Sequence, residues 1–321
     1  MKKTASKLFY EMEEKGNKEM LKGLDNIYFD KIINPYKNSE KIIDLHTHTS
    51  YSGGSLQPDE LINLAIKKRI GTLAITDINT IEGIKSINNN ELIKDSQLEI
   101  INGIELQTTL NNRKINILGY GINLDNKLLN EKMTYLKNNR LYLVLATLEQ
   151  MKKNYGISFN YEDIKEIINT NSLNYLSLAK LCVKYKYATT IKEAYNKYLN
   201  ETYNKIKGLN KDLSYQECID LITNCSGIPV LANPITLYLS EKDFLILLKE
   251  MINYKLKGIE VYHSNYNEDE KNYYLDIANK FELLISGGSD YYGEINPDIE
   301  LGTGKNNNLK IKKLSILDKL H

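Results

Sequence analysis

Histidine is scarce in this sequence, with 4 residues among 321. Because histidine is the commonest metal ligand and general base in proteins, this count excludes a site built from many imidazoles. Cysteine is equally rare, and the 3 residues, Cys182, Cys218 and Cys225, form no CxxC pair. Their spacing fits no common zinc motif, so we expect three reduced core thiols in a cytoplasmic protein.

The sequence also has no excess of charge and no long apolar run. Lys+Arg is 42 and Asp+Glu is 41, which gives a net charge of +1. This balance argues against general nucleic-acid binding, although it leaves a local basic patch open. No window approaches the roughly 18 uninterrupted apolar residues of a membrane span. Because the basic start is not followed by an apolar run, we expect no signal peptide. The hydrophobic fraction of 42% is enough for a sizeable core.

Short apolar segments alternate with helical patterns over residues 42–124 and again from residue 228. This alternation predicts an α/β fold with a mainly parallel sheet or barrel. Residues between these stretches show helical spacing only, which predicts a helical insertion. We therefore expect an N-terminal extension (1–40), a first barrel part (41–124), the insertion (125–214) and a second barrel part (215–321).

Polar side chains follow the predicted strands. His46 and His48 come at the end of the first strand, and side chains two apart in a β-conformation point the same way, so both imidazoles could reach one ion. Alone, this pair is a weak signal, and a lone carboxylate after a strand is as often a helix cap or turn residue. Active sites of α/β barrels form at the carboxyl ends of the strands. The residues that share this position are His46, His48, Asp77, Glu105, Asn233, His263 and Asp290.

Eight short motifs follow one another along the chain. They are DLHTHT at 44–49, LQPDEL at 56–61, AITD at 74–77, GIE at 103–105, ILGY at 117–120, VLANP at 230–234, GIEVY at 258–262 and GGSD at 287–290. In order and spacing, the chain resembles the PHP (polymerase and histidinol phosphatase) family, and within it the stand-alone phosphoesterases that carry a helical insertion. The resemblance covers about residues 41–300 and leaves the first 40 uncovered.

The resemblance implies a distorted (β/α)7 barrel with an all-helical insertion. Members of the family hold up to three metal ions (Mn, Fe, Zn or Mg) and hydrolyse phosphoesters. On the matching motifs, the first metal position of the family corresponds to His46, His48, Glu105 and Asp290. Two imidazoles and two carboxylates are a ligand set that suits Zn, Mn or Fe(II).

Several other positions depart from the family pattern. The family usually has Asp at the place of Gly53 and His at the places of Ile78, Asn116, Asn233 and Tyr292. Glycine and isoleucine have no side-chain ligand, and asparagine is a weak neutral one. The resemblance therefore implies one divalent ion (Mn, Fe or Zn), with the second metal position weakened and the third lost.

Two further substitutions concern the substrate. Tyr266 stands where a further family histidine is expected, with His263 three residues earlier. In related phosphoesterases, a His or Arg of the insertion contacts the substrate phosphate. In this sequence, Ser177 or a neighbour stands at that position. We expect Arg69, Arg113 and Arg140 to be peripheral.

These observations predict a metal-dependent hydrolase that uses one ion on a phosphoester-like small-molecule substrate. Asp77 would orient or deprotonate the attacking water, and His263 would donate a proton to the leaving group. Candidate substrate-binding residues are Tyr266, Tyr292, Asn116 and Asn233.

The alternative is a catalytically degenerate PHP-fold protein. It would bind a ligand, or a partner through the insertion or the N-terminal extension. The substituted ligand positions favour this reading, and the intact set of four ligands argues against it. A nucleic-acid-processing module is disfavoured because the net charge is near zero and no polymerase sequence is attached.

Overall fold

The computed structural model describes residues 41–320, apart from residues 88–92, 94–95, 112, 170–174, 207–208 and 210–211. The predicted N-terminal extension (1–40) and His321 lie outside this part. Seven strands form one sheet in chain order: β1 (Ile42–Asp44), β2 (Ile70–Ile75), β3 (Glu99–Leu110), β4 (Arg113–Tyr120), β5 (Ile228–Ala232), β6 (Gly258–His263) and β7 (Leu284–Gly288). Neighbouring strands are parallel except that β4 is antiparallel to β3 and β5.

The sheet curls into a nearly closed barrel. Leu45 donates its backbone N–H to the Gly287 carbonyl at 3.2 Å, and Asp290 donates to the His46 carbonyl at 2.9 Å. These bonds join the residues that follow β1 both to β7 and to the residues that follow β7. The carboxyl ends of the parallel strands therefore lie around one rim.

The helices of the barrel are α1 (Pro58–Lys67), α2 (Glu82–Ser86), α8 (Tyr215–Asn224), α9 (Glu241–Asn253) and α10 (Glu268–Lys280). Their starts follow sequence signals: Pro58 opens α1, and Ser214 and Asn267 form capping boxes at the starts of α8 and α10. Short 3₁₀ turns follow β5 (Pro234–Leu237) and β7 (Gly293–Ile295), and a third lies near the end (Leu317–Lys319).

The described elements between β4 and α8 are all helical. They are α3 (Lys127–Tyr155), α4 (Tyr161–Asn169), α5 (Tyr175–Lys184), α6 (Ile191–Ala194), a π-helical turn (Tyr195–Leu199) and α7 (Asn200–Ile206). The long helix α3 ends at Gly156, whose φ of 68° places it in the left-handed region that glycine favours. This segment has its own apolar cluster, which includes Val144, Met151, Leu178 and Cys182.

The barrel core has two sides. Side chains on one face of the sheet, such as Ile115 and Ile117 of β4, pack against the helices. The alternate residues Leu118 and Tyr120 pack with the C-terminal segment that contains Ile311. A two-stranded ribbon, β8 (Ile299–Glu300) and β9 (Gly304–Lys305), precedes that segment. In the described part of the chain, the helices lack the combination of length and apolarity that crossing a bilayer requires.

Candidate metal centre

Four potential ligands converge at the carboxyl ends of the strands. His46 and His48 follow β1, Glu105 lies within β3, and Asp290 follows β7. The Nε2 atom of His46 lies 3.7 Å from a Glu105 oxygen and 3.5 Å from Asp290 Oδ1. The Nε2 atom of His48 lies 3.5 Å from the other Glu105 oxygen and 3.2 Å from Asp290 Oδ1. The structure thus brings together the four residues that the resemblance assigned to the first metal.

The spacing of these atoms fits a metal ion. Ligand atoms around a tetrahedral ion at about 2.0–2.2 Å lie about 3.3–3.6 Å apart. His46 and His48 are almost fully buried, and neither Nε2 atom has a hydrogen-bond partner. Because a buried polar atom without a partner is costly, two such nitrogens facing two carboxylates indicate a position for a cation.

The other nitrogen of each imidazole is already engaged. The Nδ1 of His46 lies 2.8 Å from Oε1 of Glu260, a carboxylate that can only accept, so Nδ1 carries the proton. The Nδ1 of His48 lies 3.2 Å from the Ser52 hydroxyl oxygen. Ser52 Oγ in turn donates to Asp77 Oδ1 at 2.6 Å. In both residues the Nε2 lone pair is left for a metal, which is the arrangement typical of metal-binding histidines.

His263, the last residue of β6, has the opposite tautomer. Its Nδ1 accepts the backbone N–H of Asn265 at 3.1 Å, so in the neutral ring the proton lies on Nε2. That Nε2 faces Asp290 Oδ2 at 3.4 Å. His263 therefore stands beside the four ligands as a proton donor.

The electrostatics of the site couple its acids to its histidines. Burial alone would lower the pKa of His46, but the carboxylates of Glu260, Asp290 and Glu105 outweigh it and raise that pKa well above the usual value. Without an ion, the ring therefore tends to hold a second proton on Nε2, and a bound cation would displace that proton. Burial would raise the pKa of Asp290, whereas the histidines around it hold it well below the usual range. The Asp290 carboxylate therefore remains ionised, as a metal ligand must be.

Asp77 lies beside the site, but its carboxylate is engaged. Oδ1 accepts the Thr49 N–H at 2.7 Å and the Ser52 hydroxyl, and Oδ2 accepts the Thr49 hydroxyl at 2.7 Å. The residue is 1% exposed. This arrangement suits the orientation of other groups rather than the removal of a proton from water.

The residues at the substituted family positions offer few ligands. Ile78 pairs with Glu105 through a β-bridge. The Asn116 oxygen accepts a bond from the Gln107 amide at 3.3 Å. The Tyr292 ring stacks on His48, with ring centroids 4.1 Å apart. Gly53 has only backbone to offer.

Asn233 and Tyr266 present unpartnered polar atoms, and they contact Glu260 and His263 respectively. Asn233 follows β5 and donates its N–H to Glu260 Oε2 at 2.8 Å. The side-chain oxygen of Asn233 and the Tyr266 hydroxyl are buried without a hydrogen-bond partner. The Tyr266 ring lies against His263, with centroids 5.2 Å apart. Burial raises the pKa of Tyr266 well above its usual value, so its hydroxyl stays neutral and able to donate.

Arg140 contacts the backbone that follows β2. Its guanidinium, reaching from α3, donates to the carbonyls of Ile78 and Asn79 at 3.4 and 3.3 Å. Ile78 is the neighbour of Glu105 across the sheet, so Arg140 brings a positive charge to the site rim. The sequence placed it on a helix far along the chain, and only the packing of α3 brings it back.

Three residues that orient the site were not identified from the sequence. Glu260 is fully buried in β6 and joins His46 to the Asn233 backbone. Asp44 is fully buried and accepts four hydrogen bonds from His46, Ser289 and Gly302. The available signal was an acidic residue inside an otherwise apolar strand, which indicates a buried carboxylate with fixed partners. Ser52 gave no such signal.

Comparison with known proteins agrees with this geometry. The family model for the PHP domain matches residues 44–296. A 5'-3' exoribonuclease, Rnm, of Escherichia coli is 29% identical over 273 residues, which are 83% of this chain and 89% of that protein. A phosphoribosyl 1,2-cyclic phosphate 1,2-diphosphodiesterase of Eggerthella lenta is 24% identical, over 79% of this chain and 95% of that protein.

A solved structure supports the fold. A Bifidobacterium adolescentis protein described as a metal-dependent phosphoesterase superposes with a TM-score of 0.68 at 22% identity, over 84% of this chain and 93% of that one. The expected seven-stranded barrel is confirmed. The expected enzyme class, a metal-dependent hydrolase of phosphoesters, is confirmed: the two relatives are named for cleaving phosphoesters, and the solved structure is described as metal-dependent. The chain belongs to the PHP domain family.

Proposed function

We propose that this protein is a phosphoesterase that works with a single divalent ion, held by His46, His48, Glu105 and Asp290. One observation carries the proposal: the unpartnered Nε2 atoms of two buried histidines face two carboxylates at 3.2–3.7 Å. Manganese, iron(II) and zinc all accept such a set of nitrogen and oxygen ligands.

A single ion fits better than two or three. Among the described residues, two clusters of metal-ligating side chains occur, and both contain His46. One of them includes His263, whose Nε2 carries its proton and cannot also bind an ion in that tautomer. Of the positions that would hold further ions, Gly53 and Ile78 have no side-chain ligand atom, Tyr292 is stacked on His48, and asparagine at 116 and 233 is a weak neutral ligand.

When bound, a divalent ion supplies Lewis acidity, which makes water a nucleophile near neutral pH and neutralises charge on phosphoryl oxygens. His263 donates the proton on Nε2 to the leaving oxygen, since its Nδ1 is fixed by the Asn265 backbone. Asp290, at 24% exposure of its side chain, is the ligand that is most open to an incoming substrate.

Arg140 takes over part of the positive charge that further ions would provide. Its guanidinium is partly buried and anchored on two carbonyl groups at the rim, a geometry that suits contact with a phosphate oxygen. Asn233 and Tyr266 offer an acceptor and a donor to substrate hydroxyls. Asn116 and Tyr292 line the same rim as neutral contacts.

A ribose phosphoester is the substrate class that we favour. Of the two relatives named above, one is an exoribonuclease and the other cleaves a cyclic phosphodiester of ribose. The net charge of +1 disfavours tight binding along a nucleic acid. It is compatible with action at one end of a short RNA, where few phosphates need to be contacted.

The alternative is a protein that binds such a ligand without hydrolysing it. The substituted ligand positions at Ile78, Asn116 and Asn233 favour it. The tautomers of His46 and His48, both fixed for metal binding, argue against it.

The test is hydrolysis by the purified protein with Mn, Fe(II) or Zn. The substrates are a 5'-phosphorylated oligoribonucleotide and a ribose cyclic phosphate. We expect turnover that His46→Ala abolishes. A matched control is Glu99→Gln, at the other end of the strand that carries Glu105. Nucleotide binding without turnover under every metal would support the alternative, and neither binding nor turnover would exclude both.

A further inference from the structure

We infer that Ser52 and Asp77 are positioning residues that fix the tautomer of His48 and so keep its Nε2 available as a ligand. The inference deepens the proposed function, since it concerns one of the proposed metal ligands. It assigns a role to the loop after β1, and it replaces proton abstraction as the role of Asp77.

The direction of the hydrogen bonds follows from the chemistry of the three groups. The Asp77 carboxylate only accepts, and Ser52 Oγ lies 2.6 Å from its Oδ1, so the single serine proton points to Asp77. The serine oxygen is then left as an acceptor for Nδ1 of His48 at 3.2 Å. A neutral imidazole that donates from Nδ1 has a free lone pair on Nε2.

The far end of this relay is rigid. Thr49 holds Asp77 through its backbone N–H and its hydroxyl, both at 2.7 Å. On the other side, a Cβ at Gly83 would lie 2.0 Å from Asp77 Oδ2, so this glycine makes room for the carboxylate. Asp77 thus keeps one orientation, and through Ser52 it imposes one proton position on His48.

The two ligand histidines are held in different ways. His46 donates directly to the carboxylate of Glu260 at 2.8 Å, whereas His48 donates to a neutral hydroxyl at 3.2 Å. A bond to a charged acceptor is roughly twice as strong as a neutral one. The His48 tautomer therefore depends on the serine proton staying on the Asp77 side. Without Asp77, the serine could turn and donate to Nδ1, which would place the proton on Nε2.

The first test reads the tautomer directly in the metal-free protein. With 4 histidines in the chain, the ring nitrogens of a ¹⁵N-histidine sample can be assigned by substitution. In the metal-free protein, Asp290 Oδ1 lies 3.2 Å from Nε2 of His48 and favours the other tautomer, so the readout is the difference between variants. In mildly alkaline buffer, we expect the Nδ1–H form of His48 to be more populated in the wild type than in either variant. In Asp77→Ala the Nε2–H form should become substantial, and in Ser52→Ala the two forms should mix.

The second test is metal affinity, measured by calorimetric titration with Zn and by the visible spectrum of the Co(II) form. Ser52→Ala and Asp77→Ala should each weaken binding about 10-fold, the lower end of the effect of such orienting residues. Ser52→Thr, which keeps the hydroxyl, should restore most of the affinity. Ser50→Ala is the matched control, because Ser50 lies in the same loop and bonds Gln57 instead.

Thermal melting identifies variants that fail to fold. If Asp77→Ala is among them, the comparison of Ser52→Ala with Ser52→Thr still tests the inference. Wild-type tautomers and affinities in Ser52→Ala and Asp77→Ala would overturn the inference. A wild type with the expected His48 tautomer but no metal binding would instead overturn the proposed function and leave the relay standing.

Discussion

Asp44 provides a test of how the rim is held together. Its Oδ1 accepts the backbone N–H groups of Ser289 at 2.8 Å and His46 at 3.3 Å. Its Oδ2 accepts the Ser289 hydroxyl at 2.6 Å and the Gly302 N–H at 2.7 Å. One carboxylate thus joins β1 to the segments that carry Asp290 and the C-terminal ribbon.

The perturbation is Asp44→Asn, which conserves volume. An amide has one acceptor oxygen, so its NH₂ group must face either Gly302 N–H or the two N–H groups of Ser289 and His46. At least one buried backbone donor therefore loses its partner, at a cost of about 1–3 kcal/mol. Burial raises the pKa of Asp44, so removal of the charge recovers some desolvation energy and favours the lower end of this range.

The assay is urea unfolding of the metal-free protein, supported by thermal melting. Each kcal/mol corresponds to about 2–4 °C in a domain of this size. The control is Asp298→Asn, directly before the C-terminal ribbon that Asp44 bonds. The exposed carboxylate of Asp298 lies 4.0 Å from Lys305 and should contribute little to stability. If Asp44→Asn unfolds at the wild-type urea concentration, the bonds of Asp44 do not stabilise the rim and the reasoning fails.

Three further changes test the site. Glu260→Gln leaves one acceptor for two donors and should lower metal affinity about 10–100-fold by titration, and an unchanged affinity would show that His46 needs no such anchor. His263→Gln should lower kcat about 10²–10⁴-fold while metal affinity stays unchanged, whereas loss of the metal would identify His263 as a ligand. Gly83→Ala forces Asp77 to move and should lower both the melting temperature and the metal affinity, and wild-type values for both would contradict the close approach.

Much of the fold could be predicted from local patterns. All six residues of β2 are buried, and such an apolar run predicts a strand covered on both faces. Helical spacing predicted a helical insertion between the barrel parts, and the long helix α3 lies in that stretch. The antiparallel direction of β4 was not predicted. It follows from the two-residue connection between Leu110 and Arg113, since parallel strands need a crossover of a dozen or more residues.

The site was predicted in part. Three of the four proposed ligands follow strands, and the barrel brings strand ends together, so their meeting could be expected from the sequence. The position of Glu105 inside the longer strand β3 was not predicted. The hydrogen-bond partners of Glu260, Ser52 and Arg140 could not be predicted. Some of them lie far away in the sequence, and others depend on a side-chain rotamer. A proton position such as that of His48 depends on several hydrogen bonds at once, which no single-residue pattern encodes.

The number of metal ions per chain tests the central claim most directly. The protein would be loaded separately with excess Mn, Fe(II) or Zn, freed of loosely bound ions and analysed by elemental mass spectrometry against its concentration. We expect one ion per chain, and none in a variant that carries both His46→Ala and His48→Ala. Two or three ions at full occupancy would contradict it, since Asn116 and Asn233 are weak ligands at the second position and Gly53, Ile78 and Tyr292 offer no good ligand at the third.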